Sequence, residues 1–276
     1  MGMTNRLAGV VLAMVVIGWP VLAQSTLVEL IQRHGLSAKD GGLDTVFDSY
    51  VVPPVPISPG AFAAPLAVLV SAGADRVDAA YAFGILAGRS GRAASPEELA
   101  AAGQALVAMI GSSDRRTRIA GARVAGRVFA APWAPDVKWP VQPAGLREGL
   151  FALLNVDSEI EQLAAMDAFG LIRETSAIAS LIERYRFYRA ANKRALAGGA
   201  LEAVARIGLQ SSVELVKELA GDKWADGRDA TALAVAFARE RLLHDGSMAL
   251  IKQALDDKSL RGQARGYLAE LGAPVP

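Results

Sequence analysis

Arg116, Arg123 and Arg127 fall within about 40° of one another when residues are wound at about 100° each around a helix. Gly121, Ala122, Ala125 and Phe129 fall on the other side. Guanidinium forks in a row hold carboxylates or phosphates bidentately, so the stripe is a candidate groove for an acidic peptide. A solvated face with local ion pairs is the plainer account of the same pattern. A few residues on, 131–140 reads APWAPDVKWP and sets Trp133 and Trp139 among prolines that stiffen the backbone. Rigid aromatics on a loop anchor peptides or glycans, although the two indoles could equally cover a seam between helical units. A second basic cluster, Arg184, Arg186, Arg189, Lys193 and Arg194, surrounds Tyr185, Phe187 and Tyr188. A solvated surface accounts for that cluster as well.

Most other chemistries are excluded by composition. The 276 residues include no cysteine and two histidines, so there is no thiol nucleophile, disulfide framework or thiolate metal site. His34 precedes Gly35 and His244 precedes Asp245 and Gly246, positions expected at helix ends rather than in catalysis. Asp40, Asp44 and Asp48 lie four apart, opposite Leu43, Val46, Phe47 and Tyr50, and read as a solvated face. Asp256 and Asp257 fall where one helix ends and the next begins. A calcium loop would need acids alternating more closely around a glycine. No phosphate loop or nucleophile elbow is present. The expectation is a chain that is not an enzyme and holds no cofactor or metal. The 29 basic residues against 28 acidic ones set up no field that draws nucleic acid or an anionic membrane.

The elements that must position these side chains are helices. Hydrophobic residues make up 52% but aromatics only 6%, so the apolar content is mostly Ala, Leu and Val, which suits closely packed helices. Ser95-Pro96-Glu97-Glu98 reads as a capping box with proline at the first helical position, opening a helix that runs to Gly111. Further starts are expected at Asp114, Ser158 with Glu161, Ser176, Ser211 with Glu214, Asp226 with Asp229, and Ser247. Stops are expected at Gly88, Gly208, Gly221 and Gly272.

The helices come in pairs, and their second members repeat. Ala79, Ala82, Phe83 and Gly84 recur as Ala165, Ala168, Phe169 and Gly170, with a related helix over 119–128 between them. Leu196, Gly198, Ala200, Ala205 and Gly208 recur as Leu260, Gly262, Ala264, Ala269 and Gly272, with a helix from Gly227 midway. Such periods signal stacked helix pairs. From about Phe62 to Gly272 the pattern resembles the HEAT-repeat superfamily, especially the short HEAT-like repeats of bilin-lyase type. The resemblance rests on second helices such as 195–208, ALAGGALEAVARIG. It implies an all-α solenoid of about six antiparallel helix pairs that binds a partner. The family's Asp-turn and Arg pairing is matched by Asp114 with Arg118 and by Asp257 with Arg261, whereas the units near Asp75 and Asp157 lack the Arg.

The N-terminus reads as a secretory signal. Arg6 precedes an uncharged stretch from Leu7, and Val21 and Ala23 are small residues placed for cleavage before Gln24. The stretch is short for a hydrocarbon core of about 30 Å and Pro20 interrupts it. The expected organisation is a signal peptide over 1–23, a helical cap with a Pro-rich linker over 24–60, and repeats over 61–276. The expected role is an exported, periplasmic or secreted, non-catalytic scaffold for a protein or peptide partner. It would bind no nucleic acid and would not remain inserted in a membrane. The competing reading is a carboxylate-based glycan-acting enzyme, which needs two acids held about 5 to 9.5 Å apart in a pocket.

Overall fold

The computed structural model describes residue 47 and residues 60–71, 73–89, 94–131, 140–219 and 228–275. The signal segment, the N-terminal acidic row, His34, Gly221, Asp226 and the loop carrying Trp133 and Trp139 lie outside the described residues. Among those described there are helices and no strands. The chain divides into two compact units, residues 1–105 and 106–276.

The first unit contains α1 (Ala63–Val70), α2 (Arg76–Arg89) and most of α3 (Pro96–Ile110). Phe62 meets Phe83 edge-on at 5.3 Å, and Phe47 meets Tyr81 in the same way at 5.3 Å. Arg76 closes the α1 to α2 turn by donating from Nε to the Leu69 carbonyl at 2.9 Å and from Nη2 to the Ala105 carbonyl at 3.0 Å. The capping box is formed reciprocally. The Glu98 N–H donates to Ser95 Oγ at 3.2 Å and the Ser95 N–H donates to Glu98 Oε2 at 2.8 Å. Gly88, expected to stop α2, lies within it. Burial of Ile85, Leu86 and Ala87 in the preceding turn outweighs glycine's helix penalty of about 1 kcal/mol.

The second unit holds the end of α3, then α4 (Arg115–Val128), α5 (Leu146–Leu154), α6 (Glu159–Ile172), α7 (Ile178–Ala190), α8 (Arg194–Ile207), α9 (Gln210–Leu219), α10 (Ala230–Leu243), α11 (Met248–Gln253) and α12 (Arg261–Glu270). Helix α4 packs on α6, α6 on α8 and α8 on α10, while α5, α7, α9 and α11 each pack on the helix that follows. Small residues set the spacing. A Cβ on Gly126 would stand 2.7 Å from Ala168 Cα, and one on Gly170 would stand 2.9 Å from Ala203 Cα. Bulk at either point would force the backbones apart.

Several helix ends depart from expectation. Asp114 caps as expected, accepting from the Thr117 N–H, whereas Asp229, expected as the acid inside a first turn begun at Asp226, is itself the cap of α10 and accepts from the Ala232 N–H. Ser158 makes no side-chain cap. Glu174 replaces Ser176 as a cap, accepting from the Ser176 N–H at 3.1 Å. Helix α9 opens at Gln210, so Ser211, expected at its start, lies within the first turn. Asp245 and Glu240, not Ser247, take the N–H groups of Ser247 and Met248. Helix α10 starts at Ala230, three residues beyond the expected Gly227. Gly208 and Gly272 are left-handed as expected, with φ of 71° and 70°. His244 is likewise a left-handed helix terminus, with φ of 51°.

Candidate functional site

The arginine stripe lies along α4. Arg116 is exposed, but Arg123 and Arg127 are half-buried instead of lying on an open face. The cause is crowding on two sides. Gly121 faces Met109 and Ile110 of α3, and Gly126 faces Ala168 of α6, which leaves α4 only a narrow solvent seam. The expected backing residues Gly121, Ala122, Ala125 and Phe129 are buried.

Around the start of α4, charge joins one helix pair to the next. Asp114 Oδ2 accepts from the Thr117 N–H at 2.7 Å and from Thr117 Oγ1 at 2.6 Å. Arg118 folds back to donate to the Ser112 and Ser113 carbonyls, and its Nε donates to Glu161 Oε1 of α6 at 2.6 Å. Asp114 and Arg118 therefore play separate parts. Asp257 and Arg261 repeat the division, with the acid accepting from the Ser259 N–H and Arg261 donating to the Leu255 carbonyl. Burial of Glu161 pushes its carboxyl upward, but the Arg118 hydrogen bond and the charges of Arg118 and Arg115 outweigh it and hold the group below the usual range.

Composition and spacing did not single out Arg206, which with Glu161 is one of the two most buried charges among the described residues. Arg206 is 2% exposed. It donates through Nε and Nη2 to the two oxygens of Glu270 at 2.9 and 3.0 Å, and through Nη1 to Asp167 Oδ1 at 2.6 Å. Glu202, one turn earlier on α8, lies 3.6 Å away. The guanidinium also stands 5.9 Å from the Phe237 ring centre, and Phe237 stacks on Tyr267 at 4.3 Å. One side chain thus joins α6, α8, α10 and α12. A signal for it exists in the sequence, since Arg206 and Glu270 occupy equivalent places in the repeated segments ending at Gly208 and Gly272.

The acids of this cluster are not equivalent. Burial pushes the Glu202 carboxyl upward, with Arg206 opposing and Asp167 and Glu270 adding to the rise. Gln263 Nε2 donates to Glu202 Oε1 at 3.0 Å. The Tyr267 phenol is held well above its usual range by burial, with the Glu202 charge reinforcing the effect. Arg173 and Arg241, both half-buried, are pushed downward by burial while Glu270 opposes the shift. The arrangement stabilises a cation within a packed junction. Among the described residues no group of three or more His, Asp or Glu is arranged to hold a metal ion.

The second basic cluster is dispersed. Lys193 pairs with Glu159 at 3.1 Å, and Arg194 pairs with Asp229 at 2.7 Å. Tyr185 and Tyr188 are buried, while Phe187 is 64% exposed. Arg184 turns toward α5, where its Nη2 donates to Asn155 Oδ1 at 2.7 Å. Among the described residues no helix is long and apolar enough to cross a membrane. No family model matches this chain, and no curated protein matches it either.

Proposed function

We propose that the chain is an exported, non-catalytic scaffold built from HEAT-like repeats, a right-handed solenoid of six helix pairs offering its surface to a protein or peptide partner. The observation that carries this reading is the order of packing. Helices α4, α6, α8 and α10 follow one another as neighbours, and α6, α8 and α10 are each attended by the helix before them. Such stacking creates extended surface and relies on local contacts, which is how repeat scaffolds are built. The clustered acids favour this reading over glycan hydrolysis. Asp167, Glu202 and Glu270 converge on Arg206, whereas a hydrolase must aim two acids at a substrate.

Export by residues 1–23 and a periplasmic or secreted address belong to the same proposal, supported by the pattern of Arg6, the apolar stretch and Ala23. The test is crosslinking and co-purification from the native cell envelope, followed by reconstitution of the captured pair from purified proteins. The expected result is a defined, saturable complex. Turnover of an envelope glycan by the purified chain, with no reconstitutable partner, would reverse the assignment.

A further inference from the structure

A groove of about 360 Å³ runs between α5 and α7, lined by Phe151, Leu154, Asn155, Glu183, Arg184 and Phe187, with Ser180 at its edge. Its volume lies at the small end of ligand sites, roughly 300 to 1,000 Å³, enough for a side chain or two rather than a folded domain.

The chemistry centres on Arg184. Arg76 donates to backbone carbonyls, while Arg118, Arg194, Arg206 and Arg239 each meet a carboxylate, on Glu161, Asp229, Glu270 and Asp245 respectively. Arg184 is held by neutral atoms instead. Its Nη2 donates to Asn155 Oδ1 at 2.7 Å and its Nη1 to the Tyr188 hydroxyl at 3.0 Å. Both acceptors are themselves fixed. Asn155 Nδ2 donates to the Phe151 carbonyl at 3.0 Å, Tyr188 donates to Gln162 Oε1 at 2.8 Å, and Gln162 Nε2 donates to the Val156 carbonyl at 2.7 Å. The guanidinium is therefore oriented without being neutralised, and three of its five N–H groups remain for a ligand. Beside it Phe151 and the exposed Phe187 supply apolar walls. Helix α7 carries three arginines, Arg184, Arg186 and Arg189, against one acid, Glu183, so the local field favours an anion.

We infer that this groove is the scaffold's peptide-docking site, taking a partner segment in which a carboxylate side chain stands next to a bulky apolar one, with Arg184 receiving the carboxylate and Phe151 and Phe187 the apolar group. The inference rests on the scaffold reading and names the partner chemistry that reading lacks. Asn155 and Tyr188 are positioning residues. Glu183 also lines the groove but makes no ion pair with Arg184 among the described residues, so it opposes an acidic ligand.

The test titrates the full mature chain with a short blocked peptide carrying Glu beside Phe, with its Gln isostere and with its Lys counterpart, and follows backbone resonances by NMR. The expected result is saturable shifts confined to α5 and α7 for the Glu peptide, at least tenfold weaker binding of the Gln peptide, and none of the Lys peptide. Arg184→Gln should remove the preference for Glu over Gln. Phe187→Ser should weaken both peptides, and Glu183→Gln should tighten the Glu peptide. A merely structural Arg184 would not change which peptide is preferred, and an unchanged spectrum apart from local shifts shows that each variant is folded. Equal binding of the Glu and Gln peptides, tighter binding of the Lys peptide, or no saturable shift at millimolar peptide overturns the inference. The scaffold reading fails separately: a reconstituted envelope partner that binds wild type and Arg184→Gln equally sinks the groove and keeps the scaffold. Absence of any such partner sinks the scaffold.

Discussion

At the scale of single residues, the second unit depends on how few buried charges are shared among many elements. Arg206 binds Glu270 and Asp167 directly, so removing it leaves acidic groups facing one another in a poorly solvated junction. Arg206→Ala is expected to cost about 3 kcal/mol, the lower end for a broken buried pair because Asp167 is 43% exposed and can turn to water. Replacing Arg206 by Met together with Glu270→Leu should recover much of that loss, since the pair's desolvation cost is removed with it. Urea unfolding of the three proteins tests this, and a double variant weaker than the single one would count against it. Glu202 adds a pH dependence. Its carboxyl is raised in the folded state by burial, so the stability it contributes is fully present below its unfolded pKa and is lost as pH rises through its folded pKa. Glu202→Gln should therefore gain on wild type as pH rises from the usual carboxylate range through the raised folded-state value, while the Gln263 donor keeps an acceptor. Parallel stability curves would show that Glu202 titrates alike in both states. Glu161 and Asp245 have the opposite sign. Both are lowered despite burial, by Arg118 for Glu161 and by Ser247 and Arg239 for Asp245, so their stabilisation is present above their unfolded pKa and fades as pH falls through the folded value.

At the scale of helices, close approach is set by glycine and alanine rather than by large side chains. A methyl at Gly126 would meet backbone at 2.7 Å, and one at Gly170 would meet it at 2.9 Å, and neither neighbour can rotate away. Gly126→Ala and Gly170→Ala should each destabilise by about 1 to 3 kcal/mol through overpacking, despite alanine's better helix propensity. Gly262 in α12 provides the control, because nothing lies within 4 Å of its added Cβ. Gly262→Ala should instead stabilise, by up to about 1 kcal/mol. Denaturation midpoints decide, and the three substitutions should not share a sign. Helix starts follow the same local logic. The reciprocal bonds between Ser95 and Glu98 make Ser95→Ala worth about 1 kcal/mol of destabilisation.

At the scale of the whole chain, the helical pairs and the proposed signal lead to a joint expectation. The protein recovered from its native source should begin at Gln24, leave the membrane without detergent and keep its helical circular dichroism in the presence of a chelator. Edman sequencing or intact mass checks the first point, and a spectrum taken before and after EDTA checks the last. Intact Met1 in the membrane fraction would identify an anchor instead. A cooperative loss of helix with EDTA would reveal a structural metal that the scarcity of cysteine and histidine argues against.

The division between what is legible in the chain and what is not follows the range of the interaction. The capping box at Ser95, the Asp114 cap and the left-handed Gly208 and Gly272 depend on a few consecutive residues, so they are readable by inspection. Helical class is readable for a similar reason, since the small residues recur in successive helices. Ser176 and Ser247 misled because other acceptors take these N–H groups, Glu174 that of Ser176, and Asp245 and Glu240 those of Ser247 and Met248. The same holds for arginine. Composition counts Arg118, Arg184, Arg194 and Arg206 alike, and only tertiary packing decides that three of them meet carboxylates while Arg184 meets an amide and a phenol. A charge acts over distances set by folding rather than by sequence separation, so the residues of the chain determine its helices, and their packing determines which of its charges are left for a partner.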